Sequence, residues 1–134
     1  MSKSYLFDVN ALVGLLWSQH RLHARAHAWF ATEKPIVLGC AFTELSFVRV
    51  SMADKTIAAS FADAEQALAQ FIAALRSRYR FIENLPPAAV LRGQPVRHHK
   101  EVSDWYLCEL AVAQGARLAT LDGGIKHPAA ILVA

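Results

Sequence analysis

Cysteine is scarce in this chain: there are two, Cys40 and Cys108, far apart and in no CxxC pair. That excludes a disulfide-stapled scaffold and leaves a cytoplasmic protein with buried thiols as the simplest expectation. Long apolar runs are missing as well. No stretch approaches the ~18 residues a membrane-crossing helix requires, so no membrane association is expected. The opening residues, Met1-Ser-Lys-Ser-Tyr-Leu-Phe-Asp8, carry no apolar segment ahead of the first carboxylate, and no secretory signal is expected there. Internal repeats, low-complexity tracts and linkers are also lacking, which predicts one domain over residues 1–134. Charge is thin, at 19% of residues against 54% hydrophobic, and so apolar a chain folds around a core rather than staying disordered.

The charge that is present leans positive. The net charge of +3 tolerates a nucleic-acid partner without demanding one. Arg76, Arg78 and Arg80 stand at alternate positions, and Arg97, His98, His99 and Lys100 form a second cluster. Arginine suits forked contacts with phosphate. Taken alone, each cluster reads better as a solvated helix end or a polar loop than as a phosphate site.

Apolar spacing divides the chain into short strands and helices. Tyr5–Val9, Ile36–Gly39, Tyr79–Ile82 and Arg117–Thr120 read as strands, with Ile131–Val133 as a short fifth. Between them, helical spacing runs through Leu12–Trp17 with Asn10 as cap, Arg21–Ala31, a segment opened by Thr43-Glu44, Ala62–Leu75, a short piece over Ala88–Leu91, and a segment from Ser103 to Gln114 that Gly115 ends. The alternation predicts an α/β fold whose parallel sheet of four to five strands is covered by helices on both faces.

Open α/β sheets bind ligands beyond the carboxyl ends of their strands, where strand order reverses. Four acids fall at such places. Asp8 ends the first strand, Glu44 opens the helix after the second, Asp104 opens the helix before the fourth, and Asp122 follows the fourth in Thr-Leu-Asp-Gly-Gly. Like charges gathered so closely raise each other's pKa, and a divalent cation removes the repulsion. Mg²⁺ or Mn²⁺ takes oxygen ligands; few histidines or thiols fall at the predicted strand ends, which argues against zinc. Such an ion activates water and shields a phosphodiester, and Asn10, Ser103 and Thr120 are placed to orient ligands or water. Each acid alone has an ordinary explanation, as a helix cap or a turn residue. Asp8 resists it most, because it sits among Leu6, Phe7 and Val9.

The segments Leu-Phe-Asp8-Val-Asn10-Ala-Leu-Val, Thr43-Glu44-Leu, Ser103-Asp104-Trp-Tyr-Leu and Ala-Thr120-Leu-Asp122 resemble the four acidic motifs of PIN domains. The likeness covers almost the whole chain and is closest to the VapC toxins of VapBC toxin–antitoxin pairs. It implies a PIN-like three-layer α/β/α sandwich and a Mg²⁺- or Mn²⁺-dependent endoribonuclease that leaves a 5′-phosphate. It also implies a homodimer and inhibition by a VapB-type antitoxin whose tail reaches toward the site. By position, Asp8, Glu44 and Asp104 become the main metal ligands and Asp122 the fourth acid. Ser103 keeps the hydroxyl that Thr often supplies before the third acid, and Trp105 follows where a smaller residue is usual. Arg76, Arg78, Arg80, Arg97, Lys100 and Lys126 are the candidates for holding the RNA backbone.

Rival readings fit less well. A phospho-accepting receiver domain needs an acidic pair at the first strand, where this chain has one acid. A non-catalytic PIN-fold module that binds RNA or protein has no need of the complete acid set. A flap-type or DNA-directed nuclease needs room for a clamp. His20, His23 and His27 share helical spacing, but no carboxylate or cysteine nearby completes a metal site, so a solvated or partner-facing surface is expected. Trp17, Trp29, Phe30, Phe42 and Phe47 are read as core and dimer surface.

Overall fold

Residues 3–133 are described in the computed structural model. The run Ser-Tyr-Leu-Phe forms β1 (Ser4–Phe7), which pairs in parallel with β2 (Ile36–Gly39) on one side and β4 (Arg117–Thr120) on the other. β3 (Tyr79–Phe81) joins β2, and β5 (Ala130–Leu132) joins β4. The sheet is therefore parallel throughout, in the order β3-β2-β1-β4-β5. Its register aligns Leu6 with Leu38 and Leu118, and all three are sealed from solvent. A strand buried on both faces needs an unbroken apolar run rather than an alternating one.

Helices cover both faces. α1 (Val9–Leu16), α2 (His23–Glu33), α3 (Ala41–Ala53) and α4 (Phe61–Leu75) build one core with Tyr5, Phe7 and Val37. α5 (Pro87–Leu91) and α6 (Val102–Ala113) build the other with Leu6, Leu38 and Leu118. Trp17 stacks on Phe47, while Trp29 and Phe30 pack on Phe7. These aromatics are core, as the sequence suggests; Phe42 differs and lines an open cleft.

Helix starts depart from the sequence reading. Asp8, not Asn10, caps α1: its carboxylate accepts the Val9 N–H at 2.8 Å. α3 starts two residues before Thr43, whose hydroxyl reaches back to accept the Cys40 N–H at 3.1 Å. Ser103 lies inside the first turn of α6 rather than at its cap. Gly115, with φ of 67°, ends α6 as expected, because glycine takes that left-handed backbone at no steric cost.

Candidate active site

Strand order reverses between β1 and β4, and Asp8 stands at that reversal. Its N–H continues the ladder to the Ala119 carbonyl at 2.9 Å. The carboxylate is 6% exposed. One oxygen accepts the Val9 N–H and the other the Thr120 hydroxyl at 2.8 Å. Burial raises the Asp8 pKa; the Thr120 and Val9 donors pull it partly back, and the Asp122 charge pushes it up again.

Asp104 faces the same edge from the first turn of α6. Its carboxyl is pushed up to about 6 by burial first, then by Asp8, Asp122 and Glu101. Asp122 is exposed just past β4, its backbone N–H donating to Thr120 Oγ1 at 3.1 Å and its carboxylate accepting the Gly124 N–H at 2.8 Å. Asn10 turns its side-chain carbonyl to the Leu121 N–H at 3.0 Å, which fixes the start of the same loop and leaves its NH₂ as a donor. Three of the expected acids thus act on one another electrostatically, and Thr120 joins two of them, Asp8 and Asp122, by hydrogen bonds.

The fourth does not join them. Glu44 accepts a hydrogen bond from the Tyr79 hydroxyl. Among the described residues, no three His, Cys, Asp or Glu side chains stand close enough to hold one ion in common. Helix phase accounts for this. With α3 beginning at Ala41, Phe42, Ser46, Arg49 and Val50 share the face that meets Asp8 and Asp104, and Glu44 lies on another side. Tyr79 reaches Glu44 by lying over Gly39, where a Cβ would collide with its hydroxyl.

The cleft holds about 340 Å³ between Asp8, Asn10, Ser46, Arg49, Ser103 and Asp104. Ser46 and Arg49 were not among the residues expected from sequence. Their i, i+3 spacing was available, but which face of α3 meets α6 was not. Of the expected basic residues, Lys126 lies beside Asp104 in an adjoining crevice, and Arg97 and Lys100 are exposed before α6. Arg78 is otherwise engaged: its guanidinium donates to the Pro35 carbonyl and lies over the Phe30 ring. Arg76 and Arg78 precede β3, at the amino ends of the strands and away from the cleft, and Arg80 is exposed on the edge strand. His23 donates to or accepts from nothing acidic; its ring nitrogen contacts the Gly14 carbonyl, consistent with a structural helix face.

The candidate metal donors in the cleft are oxygens, from two carboxylates, two hydroxyls and the Asn10 amide, with no imidazole or thiol. Cys108, packed behind the acids, has its thiol pushed up to about 12 by burial and by the Asp8, Asp104 and Glu109 charges, so it stays protonated. Mg²⁺ and Mn²⁺ keep several waters and need only one or two carboxylates, so a hydrated divalent ion suits this set and zinc does not.

Solved structures share the architecture. The crystal structure of Mycobacterium tuberculosis VapC20, a sarcin-ricin-loop-cleaving toxin, superposes with a TM-score of 0.63 at 13% identity, covering 90% of this chain and 91% of that one. A toxin–antitoxin complex from Klebsiella pneumoniae gives 0.66 at 14% identity, covering 97% and 98%. The sheet order and the shared architecture define a PIN-like α/β fold. No family model matches the chain. Ribonuclease VapC38 of Mycobacterium tuberculosis is 36% identical over 125 residues, which are 90% of this chain and 86% of that protein. The chain belongs to the VapC ribonucleases, the endoribonuclease toxins of toxin–antitoxin pairs.

Proposed function

We propose that the cleft between Asp8 and Asp104 is the ribonuclease site and that it works with Mg²⁺ or Mn²⁺. The observation that carries this is the pairing of a buried carboxylate with a second one whose pKa it raises, at the point where strand order reverses. Asp8 and Asp104 are the direct metal ligands in this reading. Asp122 and Glu44 complete the acidic set through water, and Glu44 reaches the ion only by giving up Tyr79. A divalent ion bound there supplies charge shielding to the phosphate and an activated water. Thr120 and the Val9 N–H hold the Asp8 carboxylate in one orientation, and the Asn10 amide and the Ser46 and Ser103 hydroxyls are placed to position water or ribose–phosphate oxygens.

The partners follow the same reading: an RNA substrate, a VapB-type antitoxin and a second copy of this chain, in the cytoplasm. Among the described residues no helix is long and apolar enough to cross a membrane. An apolar groove of about 460 Å³, with Leu85, Pro87, Leu91 and Tyr106, adjoins the cleft and shares Phe42 and Ser103 with it; it suits an antitoxin segment that ends near the acids. Exposed Leu45, Met52 and Phe81 support self-association. Incubating the protein with total RNA in Mn²⁺, Mg²⁺ or EDTA tests the function. Cleavage is expected with either ion and lost in EDTA; equal cleavage in EDTA would remove the metal from the proposal.

A further inference from the structure

Arg49 is the one cationic side chain lining the cleft that holds Asp8 and Asp104. It stands on α3 with Ser46, on the wall that faces the acids. Among the described residues it has no salt-bridge partner; the single ion pair there is His127 with Glu109. Other arginines of this protein have structural tasks. Arg78 is bonded to the Pro35 carbonyl and lies over Phe30, and Arg117 reaches the Pro128 carbonyl at 3.5 Å. Among the described residues the Arg49 guanidinium makes no hydrogen bond to protein and covers no ring. The cleft is thus two-sided, with negative groups on one wall and an uncommitted fork of donors on the other.

Charge counting defines the occupant. Two carboxylates and one guanidinium leave the cleft with one net negative charge, and a divalent ion turns that into one net positive charge. A single phosphodiester group carries the complementary charge, and its two nonbridging oxygens match the guanidinium fork. We propose that Arg49 is a substrate-binding residue of this ribonuclease, gripping the nonbridging oxygens of the RNA phosphate that enters between α3 and the Asp8–Asp104 wall. This rests on the cleft being the ribonuclease site.

The test compares wild type, Arg49→Ala, Arg49→Lys and Arg25→Ala, a change at an exposed arginine of α2, with total RNA as substrate in Mn²⁺. Rates are taken over a range of RNA and salt concentrations, and Mn²⁺ binding is measured by calorimetry without RNA. Arg49→Ala is expected to raise KM about tenfold or more. It should also flatten the dependence of log KM on log salt by about 0.7, one phosphate contact on a single strand. Arg49→Lys is expected to fall between, because it keeps the charge and loses the fork. Mn²⁺ affinity should stay at the wild-type value in both, and Arg25→Ala should match wild type throughout. An Arg49→Ala protein with unchanged KM and salt dependence overturns the proposal, as does one that loses Mn²⁺ binding along with activity, which marks a structural role. Wild-type protein that neither binds Mn²⁺ nor cleaves RNA overturns the site assignment beneath it, a distinct result.

Discussion

Thr120 donates its hydroxyl to Asp8 at 2.8 Å and accepts the Asp122 N–H at 3.1 Å, so one side chain joins the first acid of the chain to the last. Thr120→Val leaves the buried Asp8 carboxylate with the Val9 N–H as its remaining donor. Losing a hydrogen bond to a charged group costs about 1.5–3 kcal/mol, and urea denaturation at neutral pH should show a loss of that size. Thr120→Ser keeps the hydroxyl and should lose much less. Equal stability of the Val variant and wild type would show that the contact is incidental.

Asp8→Asn and Glu44→Gln separate the two kinds of acid. Asp8 lines the cleft and Glu44 is bonded to Tyr79. Cleavage of total RNA should fall on the order of a hundredfold or more in Asp8→Asn, and about tenfold in Glu44→Gln, the scale of an outer-shell loss. Circular dichroism should be unchanged in both. Equal losses would place Glu44 on the ion directly.

The third expectation concerns pH in the absence of metal. The Asp104 carboxyl is pushed up to about 6 from an ordinary 3.8, so between those values the folded protein binds more protons than the unfolded chain. Asp104 therefore costs no stability below about pH 4, lowers it progressively as pH rises to about 6, and costs a constant amount above. The Tm advantage of Asp104→Asn over wild type should be near zero at the low end, grow through that window and then level off. Saturating Mn²⁺ should abolish or invert it. An advantage independent of pH would contradict the stated origin of the shift. Asp104→Asn should meanwhile be inactive, a gain of stability at the expense of function.

Gly39 is the fourth test. A methyl group there meets the Tyr79 hydroxyl, the same group that donates to Glu44. Tyr79 has its pKa raised by burial and by Glu44, so it remains a donor at physiological pH. Gly39→Ala should cost about 1–3 kcal/mol through overpacking, and Tyr79→Phe, which removes a hydrogen bond to a carboxylate, about 1.5–3 kcal/mol. If the double variant were as unstable as both single changes added together, the clash and the hydrogen bond would be separate matters.

Much of this organisation is legible in the sequence where local chemistry admits one answer. β4 runs from Arg117 to Thr120 as read, because Gly115 must end the preceding helix and Asp122-Gly-Gly must turn. Asp8 stands out as an acid within an apolar run that only a strand end explains. Helix starts are less legible, because a capping residue works from either side: Asn10 and Thr43 have the right side chains, yet they bond to Leu121 and Cys40 from inside their helices. The facing of α3 hides the rest. Thr43-Glu44 follows β2 as read, but the sequence does not show that the face of α3 meeting the acids carries Phe42, Ser46, Arg49 and Val50 rather than Glu44. The alternating arginines mislead for a related reason, since spacing cannot show that Arg78 will find Pro35 and Phe30 at the opposite end of the sheet.

The central place of β1 in the sheet has a bearing on synthesis. Asp8 leaves the ribosome early, and Thr120, its partner 112 residues on, leaves late. Asp104 too lies on α6, which cannot dock before the chain around it has emerged. A growing chain therefore carries the first acid with neither its hydroxyl donor nor the opposing carboxylate. The proposed cleft is assembled only once nearly the whole polypeptide has emerged.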